Sequence, residues 1–400
     1  MNSSPIFELS AGQRSIWFGQ STCPGTATYQ CGELIRFPSG SDVDAARLAR
    51  IIRRCIAQLL VFTAEYVDGG VSGPIARRSD EDARISVEVL DSAQIADTDG
   101  DLDPDTDPDA KVEMAARRFI ARPTGSELRG ADLTAHQLIT HADGRLWWVA
   151  RFHHIAGDGF SFNALLTWIT QCYTAESRGE ELPESPFTLP EPATARAVPP
   201  ETVEFWRDHA LPEPGISLLP DTADSPDPVD ADVVVSGAAL LPADARKQLR
   251  TLLQGLNSVT ESAGHASESP TELDLLMLLT SRYIASLSNA EELSIGIPLI
   301  NRTFGKKVVE CGPAVSVMPL CVNFAADSNA AAMLRDLSRD HGARNASQLR
   351  GAGPCGSAGS CAHPSRGARC PTWIRSSSGR FWHRALRASR GIPAGNQGFQ

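Results

Sequence analysis

The chain has 400 residues, room for two domains of about 150–200 residues each, and its 42% hydrophobic and 21% charged content is ordinary for a globular protein. A formal charge of −11 argues against a generic nucleic-acid or anionic-membrane binder, because both need clustered Lys and Arg. No stretch approaches the roughly 18 uncharged apolar residues of a membrane span. The opening "MNSSPIFELSAGQRSIW" lacks the basic flank and apolar run of a signal peptide, and the nine cysteines show no CxxC or metal-ligand spacing, so a reduced, cytoplasmic enzyme is expected.

In chain order, Val43 to Phe62 repeats apolar residues at helical spacing with arginines on the other face, predicting a helix. Ile85 to Asp91 alternates like a strand. The acidic run "DTDGDLDPDTDPDA" (97–110) invites a calcium reading. An EF-hand loop opening at Asp97 would need Gly and Glu where Leu102 and Pro108 stand, so a solvated loop is expected. Lys111 to Pro123 reads as a helix ended by the proline. "LTAHQLIT" and "RLWWVARFHH" flank the turn signal Asp143-Gly144, predicting a hairpin whose second strand runs into His153 and His154. Ser161 to Gly179 is helical in pattern, with Ser161 as cap and Phe162, Leu165, Leu166, Ile169 and Tyr173 on one face. The Pro- and Glu-rich stretch 179–200 reads as a linker. Beyond it come a short helix from Thr202, a strand over 231–240, helices over 243–256 and 271–288 (the latter capped by Thr271), and two buried strands, "LSIGIPL" and "AVSVMPLCVNF". Helices and strands mix in both halves, so the fold class is α/β or α+β.

The charge is unevenly placed. Residues 341–400 hold nine arginines and no Lys, Asp or Glu, leaving −20 on residues 1–340. This tail is rich in Gly, Ser, Pro and Cys and has no apolar periodicity. A basic arm for an acidic partner, a disordered segment and a change of reading frame all fit. Complete loss of acidic residues beside new Cys and Trp favours the frame change.

The stretch "RFHHIAGDGFSF" (151–162) joins a strand end to a helix start. A zinc site would need His153 and His154 on one ion, whereas successive strand side chains point to opposite faces, and no HExxH spacing is present. A Ser-His-Asp arrangement lacks its GxSxG elbow. Two readings remain: histidines that merely end a hairpin, or one histidine as general base with its neighbour packed inward. In the second, Asp158 shapes the loop through an ion pair. Gly159 then lets the backbone approach a reacting group, and the helix N-terminus favours developing negative charge.

"HHIAGDG" resembles the HHxxxDG signature of nonribosomal peptide synthetase condensation domains, within the chloramphenicol-acetyltransferase-like superfamily. Further segments match in family order: "LSAGQRSIWFGQ" (9–20), the degenerate "RRCIAQLLVFTAEY" (53–66), "ARPTGSELRGADLTAHQLI" (121–139), "VEFWRDHAL" (203–211), "LSIGIPLINR" (293–302) and "CGPAVSVMPLCV" (311–322). The resemblance covers about residues 8–340. It implies two acetyltransferase-like subdomains forming a V with a central tunnel: residues 1–178, then a linker over 179–200, then an incomplete second subdomain over 201–340, followed by the anomalous tail 341–400.

The implied function is amide bond formation between a carrier-bound donor thioester and the α-amine of a carrier-bound acceptor. The implied partners are upstream and downstream peptidyl carrier proteins, with adenylation domains alongside. No cofactor or metal belongs to the domain, since phosphopantetheine carries the substrates, and the domain is expected to be monomeric. By position, His154 is the catalytic residue, Gly159 lines the tunnel, His153 is structural, and Asp158 pairs with Arg302. The sequence departs from the family at Ser316 and Val317, where Asn and Thr are usual, and lacks the later HQDYPFE and RDxSRNPL motifs. A stand-alone HxxxDG acyltransferase making esters or amides, or an inactive carrier-docking remnant, are the alternatives.

Overall fold

The computed structural model describes residues 6–78, 85–95, 107–124, 127–190, 192, 198–209, 241–262, 270–288, 291–301, 309–324 and 329–350. In chain order the elements are β1 (Ile6–Glu8), α1 (Ala11–Thr22), β2 (Gln30–Arg36), α2 (Ala45–Ala57), α3 (Leu60–Thr63), β3 (Ala64–Asp68), β4 (Pro74–Arg78) and β5 (Ser86–Asp91). Then follow α4 (Pro108–Ile120), β6 (Leu128–Arg129), β7 (Thr134–Thr140), β8 (Leu146–His153), α5 (Gly159–Ser177), β9 (Phe187–Thr188) and α6 (Pro200–Asp208). The series ends with α7 (Ala243–Ser262), α8 (Glu272–Ser288), β10 (Glu292–Ile300), β11 (Val309–Glu310), β12 (Val315–Asn323) and α9 (Ala330–Arg350). The described residues fall into two units. The first holds those up to 192 together with 309–314; the second holds 198–301 and 315–350.

In the first unit, one sheet runs β2-β8-β7-β5, antiparallel except for the parallel β5–β7 pair, and another runs β1-β4-β3-β6. The Asp143-Gly144 turn joins β7 to β8 as expected, with Gly144 at φ 83°. All eight residues of β8, "LWWVARFH", are buried, because the strand is covered on both faces. Trp147 and Val149 pack with α4 residues Val112, Ala116 and Phe119. Trp148, Ala150 and Phe152 join the larger core with α2 and α5. A strand clamped this way fixes the position at which its C-terminal histidines emerge.

Several boundaries differ from the sequence expectation, each for a local reason. The helix expected over 43–62 is α2, stopped at Ala57, where Gln58 and Leu59 N–H groups donate to the carbonyls of Cys55 and Ile56 in a tight last turn; α3 follows as a single turn. α4 starts earlier than Lys111, because Asp107 caps it and Pro108 suits a first helical position. α5 is capped by Asp158 rather than Ser161. The Asp158 carboxylate accepts the Ser161 N–H at 3.0 Å, and Ser161 Oγ accepts the Asp158 N–H at 2.8 Å, a reciprocal capping box. The stretch read as a linker contains β9, which pairs in parallel with β11.

In the second unit, β10 and β12 pair antiparallel over nine residues each. They are not buried on both faces: Leu293 and Ile297 of β10 and Met318, Leu320 and Val322 of β12 face the core, while Ser294, Gly296 and Pro298 are exposed. Ser316, at a departure from the family pattern, accepts a hydrogen bond from the Asn301 amide at 2.8 Å. Thr271 caps α8 as expected, its Oγ1 accepting the Asp274 N–H. Asp274 is buried and accepts from Thr271 Oγ1 at 2.7 Å and Ser338 Oγ at 3.3 Å, with His341 Nδ1 at 2.8 Å. The change of composition at 341 therefore falls inside α9. There Arg344 is also buried, bonded to Asp340 and placed over the Trp206 ring. The strand expected over 231–240, most of the acidic run 97–110, and residues 351–400 lie outside the described residues.

Candidate active site

The strand β8 ends at His153, and a single 3₁₀ turn, His154–Ala156, leads through Gly157 into α5. His153 is fully buried. Its Nδ1 accepts the Ile155 N–H at 3.1 Å, which leaves the proton on Nε2, 3.4 Å from Gln20 Oε1. Burial, aided by the neighbouring His154 and Arg151, pushes its pKa down to about 3, so this ring is neutral.

His154 is half-buried, and its N–H donates to the Tyr29 carbonyl at 2.8 Å. Its Nδ1 lies 3.1 Å from the Gly157 carbonyl oxygen. A carbonyl only accepts, so Nδ1 carries a proton, and whenever the ring is neutral the lone pair is on Nε2. The ring sits 6.2 Å from that of Phe162, which stacks on Phe152 at 4.4 Å. Gly157 is required by space: a Cβ there would lie 2.6 Å from both Phe162 Cε1 and Ser161 Oγ.

Asp158 is 2% exposed. One carboxylate oxygen caps α5, and the other accepts the Ala314 N–H at 2.9 Å, tying the returning segment 309–314 to the histidine loop. Arg302, its expected ion-pair partner, lies outside the described residues. Gly159 is exposed at the first position of α5, and a Cβ there would meet no heavy atom of the described residues within 4 Å.

Two residues that the sequence reading did not single out complete the loop. Gln13 is buried in α1; its Oε1 accepts the Ser10 N–H at 3.0 Å, and its Nε2 donates to the Ile155 carbonyl at 3.2 Å. Gln20, also buried, lies seven residues on, which is two helical turns along the same face. That spacing of two glutamines on one helix face was the available signal. Beneath the loop, Tyr66 donates to the Val61 carbonyl, and burial pushes its phenol pKa up. Among the described residues no group of His, Cys, Asp or Glu could hold a metal ion, and no helix is long and apolar enough to cross a membrane.

A histidine with a fixed tautomer, emerging from a doubly covered strand beside a helix start, is the geometry expected of HHxxxDG. The model of the condensation domain matches residues 4–348. This chain belongs to the condensation domain family. Enterobactin synthase component F of Shigella flexneri is 26% identical over 326 residues, covering 80% of this chain and 23% of that protein. The dimodular nonribosomal peptide synthase of Bacillus subtilis is 22% identical over 341 residues, covering 84% and 13%. The chain thus spans less than a quarter of the length of either relative. Among solved structures, the first condensation domain of the calcium-dependent antibiotic synthetase aligns with a TM-score of 0.59 at 18% identity, covering 87% of this chain and 76% of that one. The starter condensation domain of rhizomide synthetase aligns with a TM-score of 0.56 at 18% identity, covering 87% and 73%. Both carry the same mixed fold. Condensation domains are acyltransferases that form amide bonds, working with carrier and adenylation domains in modular synthetases.

Proposed function

We propose that this chain joins a donor acyl or peptidyl thioester to the α-amine of an acceptor aminoacyl thioester, each tethered by phosphopantetheine to its own peptidyl carrier protein in the cytoplasm. The observation that carries this reading is the His154 Nδ1 bond to the Gly157 carbonyl, which leaves Nε2 as the proton acceptor. As the amine nitrogen attacks the thioester carbon, Nε2 takes the proton that the nitrogen loses. The carbonyl oxygen gains negative charge, which the N-terminal end of α5 favours. Collapse breaks the C–S bond, and the leaving thiolate receives the proton from the imidazolium. Amide and free thiol result, and the imidazole is regenerated.

Gly159 leaves space for the tethered carbonyl, since a side chain there would extend into volume that no atom of the described residues occupies. Asp158 is a positioning residue that builds the start of α5 and, by the family resemblance, pairs with Arg302. The test is a purified chain mixed with carrier proteins loaded with aminoacyl thioesters, with product followed by mass spectrometry. Amide should form with the wild type, and His154→Ala should abolish it while leaving the melting temperature within about 2 °C, since the ring is only half-buried. Undiminished turnover by His154→Ala would refute the assignment. Ester formation from free alcohols, with no amide from loaded carriers, would replace it by the hydroxyl-acceptor reading.

A further inference from the structure

We propose that helix α1 is a positioning element for His154, acting through Gln20 and Gln13, which hold the two peptide groups that follow this histidine. The inference rests on the reading of His154 as the base. The chain of bonds has one polarity. Gln20 Nε2 donates to the Cys23 carbonyl at 3.2 Å, and because a carbonyl only accepts, the Gln20 amide cannot be reversed. Its Oε1 must therefore face His153 Nε2, at 3.4 Å, and needs a proton there. That requirement leaves His153 Nδ1 as an acceptor, which the Ile155 N–H fills at 3.1 Å.

The next peptide is held from the same helix. Gln13 Nε2 donates to the Ile155 carbonyl at 3.2 Å, and Gln13 is itself fixed by the Ser10 N–H on its Oε1. Ile155 is fully buried, so neither of its backbone groups has water as an alternative partner. Immediately before it, His154 depends on this turn to bring its Nδ1 onto the Gly157 carbonyl. The glutamines touch no atom of the proposed reaction; they decide which way the turn, and with it the His154 ring, is set. Reversing the polarity at His153 would oppose its Nδ1–H to the Ile155 N–H and undo the turn.

The test uses the full chain labelled with ¹⁵N-histidine, whose two-bond ¹H–¹⁵N correlations report the tautomer of each ring. The wild type should show His153 protonated on Nε2 and His154 on Nδ1. Gln20→Leu and Gln13→Met should each give a mixed His154 tautomer. With carrier proteins loaded with aminoacyl thioesters, kcat should fall by about 10- to 100-fold, as expected for a misplaced reacting group, with KM within about twofold.

A wild-type His153 protonated on Nδ1 overturns the proposal. So does a wild-type His154 tautomer in both apolar variants. If the wild type makes no amide from these carriers, the functional reading fails. The tautomers of the two apolar variants then decide the positioning role alone, supporting it if mixed and overturning it if unchanged.

Discussion

Replacing Gly157 by alanine places a methyl group where the loop has no room for one. The added Cβ would sit 2.6 Å from Phe162 Cε1 and 2.6 Å from Ser161 Oγ, about 1 Å inside normal carbon contact. Neither neighbour can yield cheaply. Phe162 is stacked face to face on buried Phe152 at an interplanar angle of 10°, and Ser161 Oγ closes the capping box of α5. The backbone is not the obstacle, because Gly157 has φ 176°, an extended value open to any residue. Overpacking of this kind costs about 1–3 kcal/mol, which for a unit of this size is a loss of about 3–9 °C in melting temperature. Relief by moving the loop would carry the Gly157 carbonyl away from His154 Nδ1, so amide formation should fall by about 100-fold in the folded fraction. Gly159→Ala is the matched control. Its Cβ meets no atom of the described residues, so its melting temperature should stay within about 2 °C of the wild type, while turnover falls because the methyl occupies space proposed for the substrate. Scanning calorimetry paired with the carrier-protein assay reads both. Equal melting temperatures for Gly157→Ala and the wild type would refute the packing argument, and full activity in Gly159→Ala would refute the proposed approach of substrate.

Asp158→Asn keeps a capable helix cap but sets an amide donor against the N–H of Ala314 or Ser161; it should cost about 1–3 kcal/mol, seen as a lower urea midpoint. The buried neutral histidines His136 and His153, both pushed down to about 3 by burial, make folding acid-sensitive. Their folded pKa values lie below the unfolded ones, so stability is complete above about pH 6.5 and is lost as pH falls toward 3, by up to about 2.7 kcal/mol per pH unit for the pair. Urea titrations at pH 7, 6 and 5 check this, and a flat stability would contradict it. Asp274→Ala strips four polar groups of α8 and α9 of their acceptor, and should speed amide exchange in peptides covering both helices, read by mass spectrometry.

Much of the site was legible because its signals are local. Asp143-Gly144 marked the hairpin, and the two adjacent histidines stood at the end of its second strand. What escaped has physical reasons. Ser161 was read as the cap because it precedes the apolar face, but in a capping box either partner can look like the cap from sequence, and backbone geometry chose Asp158. β10 and β12 read as fully buried because their apolar runs are nearly continuous, yet Ser294, Gly296 and Pro298 lie on an exposed face. The Asp158 bond to Ala314 spans 156 residues and ends on a main-chain N–H, a donor that every residue but proline possesses, so composition cannot announce it. Gln13 and Gln20 stand at helical spacing in a segment that was not read as a helix, and nothing in α1 alone says what they reach.

The pairing of β11 with β9, and of Ala314 with Asp158, has a consequence for recombination between condensation domains. Residues 309–314 belong to the first unit although some 110 residues of the second precede them in the chain. A graft that exchanges everything after a single junction near residue 195 would import a foreign strap against the histidine loop. Its geometry at Asp158 would then depend on the donor parent. Exchanging 196–302 alone, with the native 303–314 retained, keeps that strap with the loop it was selected to hold. Ribosomal synthesis meets the same constraint in time: the histidine loop is made early, and its last restraint emerges only after most of the second unit.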